Sequence, residues 1–146
     1  VFFNLTENEN YLIGFADEKS NLIIHYSDPM IFMKRPIQFG DSISDSFKRT
    51  YNINGMDMTG TGTIHVVADG TGTLILPNGK YENVIRIKIE IIQLDAPVQY
   101  SSWPSKSVQK TWVWFDGKHT SALLKIDQTE SPYYKDKNVR YLIKEN

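Results

Sequence analysis

Val84-Ile85-Arg86-Ile87-Lys88-Ile89-Glu90-Ile91-Ile92 is the stretch that decides the fold. Ile85, Ile87, Ile89 and Ile91 recur at every second position, and Arg86, Lys88 and Glu90 stand between them. Successive side chains of a strand point to opposite faces, so this alternation describes a strand with one buried and one wet face. Its β-branched residues favour a pleated surface over a helix.

Turn signals cut the chain on both sides of that strand. Asn54-Gly55, Asp69-Gly70, Asn78-Gly79 and Asp116-Gly117 each lie between apolar runs. Both residues of such pairs tolerate positive φ, which tight hairpins require. They predict a meander of strands over Phe47–Ile53, Met56–Val67, Thr71–Leu76 and Tyr81–Leu94. Pro77 falls where a strand should stop, because it cannot donate to a ladder. Earlier strands are expected at Tyr11–Phe15, Leu22–Tyr26 and Met30–Arg35, and later ones at Gln109–Phe115, Ser121–Asp127 and Val139–Ile143. Asp95–Ser107 and Gln128–Asn138 read as loops. Nine or ten short strands without a helix predict an all-β antiparallel meander forming a β-sandwich, with a closed lipocalin-like barrel as the alternative. The glycines of Thr59-Gly60-Thr61-Gly62-Thr63 and Thr71-Gly72-Thr73 are expected at bulges or close backbone approaches.

The chain has 146 residues, the size of one domain, and reads as a single all-β domain over 1–146. It opens Val1-Phe2-Phe3-Asn4 and is expected to be a fragment or processed part of a longer protein. It contains no cysteine, which excludes disulfides, thiolate metal sites and cysteine nucleophiles. Sixteen basic and 17 acidic residues give a net charge of −1, without the basic patch that nucleic acid would need. Its apolar runs are far shorter than a membrane-spanning helix, so no transmembrane segment is expected.

A set of phrases carries a family resemblance. Asn54-Gly55, Gly60-Thr61-Gly62-Thr63, the run Ala68 to Gly79 and Tyr81-Glu82-Asn83-Val84-Ile85-Arg86-Ile87-Lys88 form its core. Tyr26-Ser27-Asp28-Pro29, Pro36 to Ser42 and Asp45-Ser46-Phe47 stand upstream, and Trp112-Val113-Trp114-Phe115, Leu123 to Ile126 and Val139 to Leu142 downstream. Together, over about residues 22–143, they resemble an N-terminal β module of secreted Bacteroidetes proteins associated with type IX secretion. The resemblance implies a secreted or cell-surface protein on the outer face of a Gram-negative envelope. The family's function is largely undefined, and it brings no catalytic residues.

The candidate chemistry is sparse. His25, His65 and His119 lack the spacing of a zinc motif. No Gly-x-Ser-x-Gly elbow or P-loop is present, so no enzyme, cofactor or metal is expected. Asp28, Asp41 and Asp45 could contribute to a calcium site, but turn and capping roles explain them better. The aromatics offer more. Trp112 and Trp114 share one face of a strand, opposite Val113 and Phe115, while Tyr100 and Trp103 lie in the preceding loop and could fold near them. These four are the candidate ligand-binding residues, with Tyr133-Tyr134 as further contacts. The leading expectation is a non-catalytic secreted or surface module with a structural, adhesive or docking role toward another envelope protein. The alternatives are a carbohydrate-binding module using the tryptophan platform and a barrel holding a small apolar ligand. Val139–Ile143 is the edge strand expected to accept a partner.

Overall fold

The computed structural model describes residues 1–142. Nine strands run in one continuous antiparallel sheet, in the same order in space as in sequence. They are β1 (Phe2–Leu5), β2 (Glu9–Asp17), β3 (Leu22–Lys34), β4 (Ser42–Ile53), β5 (Met56–Leu76), β6 (Gly79–Pro97), β7 (Ser105–Phe115), β8 (Leu124–Glu130) and β9 (Lys135–Tyr141). The one helical element among the described residues is a 3₁₀ turn at Val98–Tyr100. No helix of the described residues is long and apolar enough to cross a membrane.

The all-β antiparallel meander is as expected. The sheet is not closed, because β1 and β9 are its two edges and do not pair with each other. That removes the barrel alternative, and with it an internal ligand cavity. The two layers of the sandwich are supplied by one sheet that bends back over its own apolar face. Leu12 of β2 and Tyr26 and Met30 of β3 share a buried cluster with Ile64 and Val66 of β5 and Ile87, Ile89 and Ile91 of β6. Among the described residues neither a helix nor a second sheet covers this cluster, so the twisted sheet must cover itself. Each large side chain taken fully out of water contributes roughly 1.5–3 kcal/mol.

The alternation of β6 is realised from Ile87 to Ile91, while Ile85 is half-buried and Val84 on the other face is buried in a second cluster. Ile87, Ile89 and Ile91 are buried, and Arg86, Lys88 and Glu90 occupy the outer face. Glu90 pairs across to Lys110 of β7 rather than with its own strand neighbours. The Asn54-Gly55 turn takes φ of 51° and 82°, as a tight hairpin demands.

Several boundaries differ from expectation: β1 is an additional strand, and the loop expected at Asp95–Ser107 shrinks to residues 98–104 because β6 and β7 extend into it. Asp69-Gly70 is not a turn: β5 runs through it, with register shifts between Ala68 and Gly70 and again between Gly72 and Leu74. Leu22–Tyr26 and Met30–Arg35 join in one strand that ends at Lys34, with a register shift between Tyr26 and Asp28 against β4 and two more against β2. Most of the loop expected at Gln128–Asn138 is strand, and only residues 131–134 turn. The segment Lys135-Asp136-Lys137-Asn138 hides its strand character because it lies on an exposed edge and needs no apolar alternation. Ile143 of the expected last strand lies outside the described residues.

Candidate functional site

Trp112 and Trp114 do share one face of β7. Trp112 stands beside Lys88 of β6 and Ile126 of β8, and Trp114 beside Arg86 and Leu124. Both indoles are half-buried on the outer face, while Val113 is buried and Phe115 packs against the main core.

Tyr100 and Trp103 do not join them. The two are 64% and 84% exposed in the β6–β7 connection. Trp112 lies seven residues along β7 from Ser105, where that connection ends, or roughly 23 Å at strand rise. The four expected residues therefore form no common platform, because a straight antiparallel hairpin holds its tip away from its far end.

Instead the meander gathers another group. Ile24 pairs with Tyr51, Met58 with Pro97, and Asp95 with Ser105, which puts every second hairpin tip at one end of the sheet. That end exposes Ile23, Ile53, Met56, Val98, Tyr100 and Trp103. The β8–β9 turn adds Tyr133 and Tyr134 at the same end, since Glu130 pairs with Val108. The sequence points to Tyr100 and Trp103 as companions of Trp112 and Trp114, and to Tyr133-Tyr134 as further contacts, but not to a shared rim. It does not single out Ile23, Ile53, Met56 and Val98, which are ordinary strand-end residues until the register is known.

The opposite end holds a cleft of about 190 Å³ lined by Gly70, Thr71, Gly72, Thr73, Leu74, Val84, Arg86 and Trp114. Arg86 forks onto Asp69, with Nε donating to Oδ1 at 2.8 Å and Nη2 to Oδ2 at 3.2 Å. Its guanidinium carbon lies 6.0 Å from the centre of the Trp114 ring. Behind the cleft, Tyr81, Val84 and Leu123 form a second small core with Trp114 packed against it.

The polar groups proposed for chemistry are dispersed. His65 lies on the outer face with its Nδ1 2.9 Å from Ser44 Oγ. The carboxylate beside it in the ladder, Glu90, pairs with Lys110. A histidine–carboxylate contact, His119 Nδ1 to Asp116 Oδ2 at 2.9 Å, sits in the β7–β8 loop. The serine–histidine and histidine–carboxylate halves of a triad are thus on different elements. Asp45 accepts from the Ile31 amide at 2.8 Å and Asp41 from the Gln38 amide at 2.7 Å, which are turn and bracing roles. Among the described residues no three histidine or acidic side chains converge as metal ligands.

Asp116 is the most perturbed acid. Burial works to raise its pKa, but the amides of His119 and Lys118 and the His119 ring override it and hold the carboxyl at about 2. The folded value lies below the ordinary 3.8. Its contribution to stability is therefore fully present above about pH 4 and is lost as pH falls toward 2. Asp116→Asn should flatten stability against pH in that window, and carboxyl-carbon NMR titration should report the depressed midpoint in the parent chain.

Comparison with known proteins finds no matching family model, no similar curated protein and no similar solved structure.

Proposed function

We propose that the chain is a non-catalytic secreted or cell-surface module that docks end-on to another envelope protein. The observation that carries this reading is the rim of apolar hairpin tips at one end of the sheet, with Trp103 84% and Tyr133 87% exposed. Large apolar groups gathered on a surface mark interaction sites. Tryptophan and tyrosine anchor protein interfaces because they bury much area at little entropic cost. Asp17, Glu18 and Asp57 near the same tips are matched by Lys19, Lys106 and Lys135, so the rim has no basic excess to hold an anionic lipid surface. The resemblance of the Ala68–Gly79 and Tyr81–Lys88 phrases to the secreted Bacteroidetes module supports placement outside the cell.

The expected β9 docking edge is the weaker candidate. Lys135, Asp136, Lys137 and Arg140 line it, and charges on an edge strand discourage the addition of another strand.

Photo-crosslinking on intact cells tests the proposal, with the reactive group at position 103 and a control at Thr50 on the exposed side of β4. One surface protein should be captured from 103 and not from 50. Tyr100→Ser/Tyr133→Ser should lose it while the fold stays within about 0.5 kcal/mol of the parent. Equal capture from both positions, or pelleting of the purified chain with neutral lipid vesicles, would reject the reading.

A further inference from the structure

We infer that the cleft at the bend of β5 is a binding site for one uncharged pyranose ring of a glycan. The site lies at the other end of the sheet from the docking rim and stands or falls independently of it.

The geometry begins with the two register shifts in the β5–β6 ladder. The first puts one extra residue, Asp69, into β5, and the second sets Glu82 and Asn83 of β6 opposite the single Thr73; the ribbon between them stays paired with β6 but lies beyond the last β4 pairing at Val67, so its other edge is open. Gly70 and Gly72 fall within that ribbon. Arg86 lies against Gly70, where an added Cβ would sit in ordinary contact with its side chain at 3.4 Å. Gly72 has φ of +149°, a conformation that L side chains rarely adopt, and a Cβ there would meet nothing within 4 Å. The ribbon therefore offers bare backbone to the cleft, flanked by the exposed Thr71 and Thr73.

The chemistry of the walls selects the ligand. Trp114 supplies an aromatic surface, and Leu74 and Val84 add apolar contact. Thr71, Thr73 and the glycine backbone supply short hydrogen-bonding groups. Arg86 has five N–H donors, of which the fork onto Asp69 engages Nε and Nη2. The fork also cancels the charge of the guanidinium, so the lining favours a neutral ligand over an anion. A ring with an apolar C–H face and hydroxyls around its edge matches an aromatic wall beside a rim of donors and acceptors. A volume of about 190 Å³ is below the roughly 300–1,000 Å³ of pockets for drug-sized molecules, which limits the site to a single ring. Trp112, one row along the sheet beside Lys88, does not line it.

Soluble hexasaccharides of β-1,4-glucose, β-1,4-xylose and β-1,4-mannose serve as neutral probes, with a galacturonate hexamer as the charged control. Amide and indole NMR shifts are followed during titration of the full 146-residue chain. At least one neutral probe should move the Gly70 and Gly72 amides and the Trp114 indole, with a dissociation constant on the order of 1 mM. Thr71→Arg/Thr73→Arg fills the cleft from two exposed positions that take no part in either core, and should weaken that binding at least tenfold. Trp112→Ala should leave it within twofold. Trp114→Ala is the less clean variant, because this indole also packs against the second core. Shifts centred on Trp112 or Trp103, a preference for the galacturonate hexamer, or no shift with any probe at 20-fold above ~1 mM would overturn the assignment.

Discussion

Asp95→Ala is expected to lower the unfolding free energy by about 3–5 kcal/mol, because it strands a buried guanidinium. Arg49 of β4 and Asp95 of β6 are separated by a whole strand, yet Nε meets Oδ1 at 3.1 Å and Nη2 meets Oδ2 at 2.6 Å. The side chains are only 9% and 15% exposed. The residue between them in the ladder is Gly60, paired with Arg49 on one side and Asp95 on the other. A Cβ at Gly60 would meet the Arg49 Cγ and Nε at 3.0 Å and collide with the Asp95 carboxylate. Glycine therefore makes the channel through which the pair joins. Burial pulls the Arg49 pKa down, and the Asp95 carboxylate more than offsets this, so the guanidinium ends above its ordinary value. Urea unfolding should show the loss, with a fall in Tm of roughly 6–20 °C. Arg49→Met/Asp95→Leu should recover most of it, since an apolar pair of similar size needs no desolvated charge. A loss below about 1 kcal/mol in the single variant would mean that water reaches the pair.

That pair also marks how far sequence reading extends. β6 was legible because its isoleucines alternate over a long run, and Asn54-Gly55 because positive φ leaves a compositional mark. Arg49 and Asp95 are 46 residues apart, and no local pattern joins them. Only the register of three long strands brings them together. The same holds for the candidate sites. Trp112 and Trp114 could be assigned to one face from their spacing alone. Whether Trp103 lies near Trp114 depends on how far the hairpin extends before it turns, and long strands carried the two apart. Asp69-Gly70 misled for a related reason: Asp-Gly suits a turn and a bulge alike, and the ladder on both sides decides between them. The cleft follows from that bulge, so a site built on it could not be read before the strand was known to continue.

Phe47→Ala should produce the other large loss, about 3–5 kcal/mol. Phe47 is 1% exposed, at the centre of the main core, and its ring packs against Tyr26 at 5.5 Å between centroids. Its partner in β5 is Gly62, and the ring lies across the space where a side chain would stand. A Cβ on Gly62 would meet Phe47 Cε1 at 2.7 Å and the Ile92 carbonyl oxygen at 2.5 Å. Gly62→Ala is thus expected to cost about 1–3 kcal/mol by overpacking. The two losses should not add. Removing the ring gives the new methyl group room, although the Ile92 carbonyl still crowds it, so relief is partial. A double-mutant cycle should return a coupling of about 1 kcal/mol or more between positions 47 and 62. Strict additivity would mean that the carbonyl alone excludes a side chain at 62. It would also mean that the ring of Phe47 fills that space without depending on the glycine beneath it.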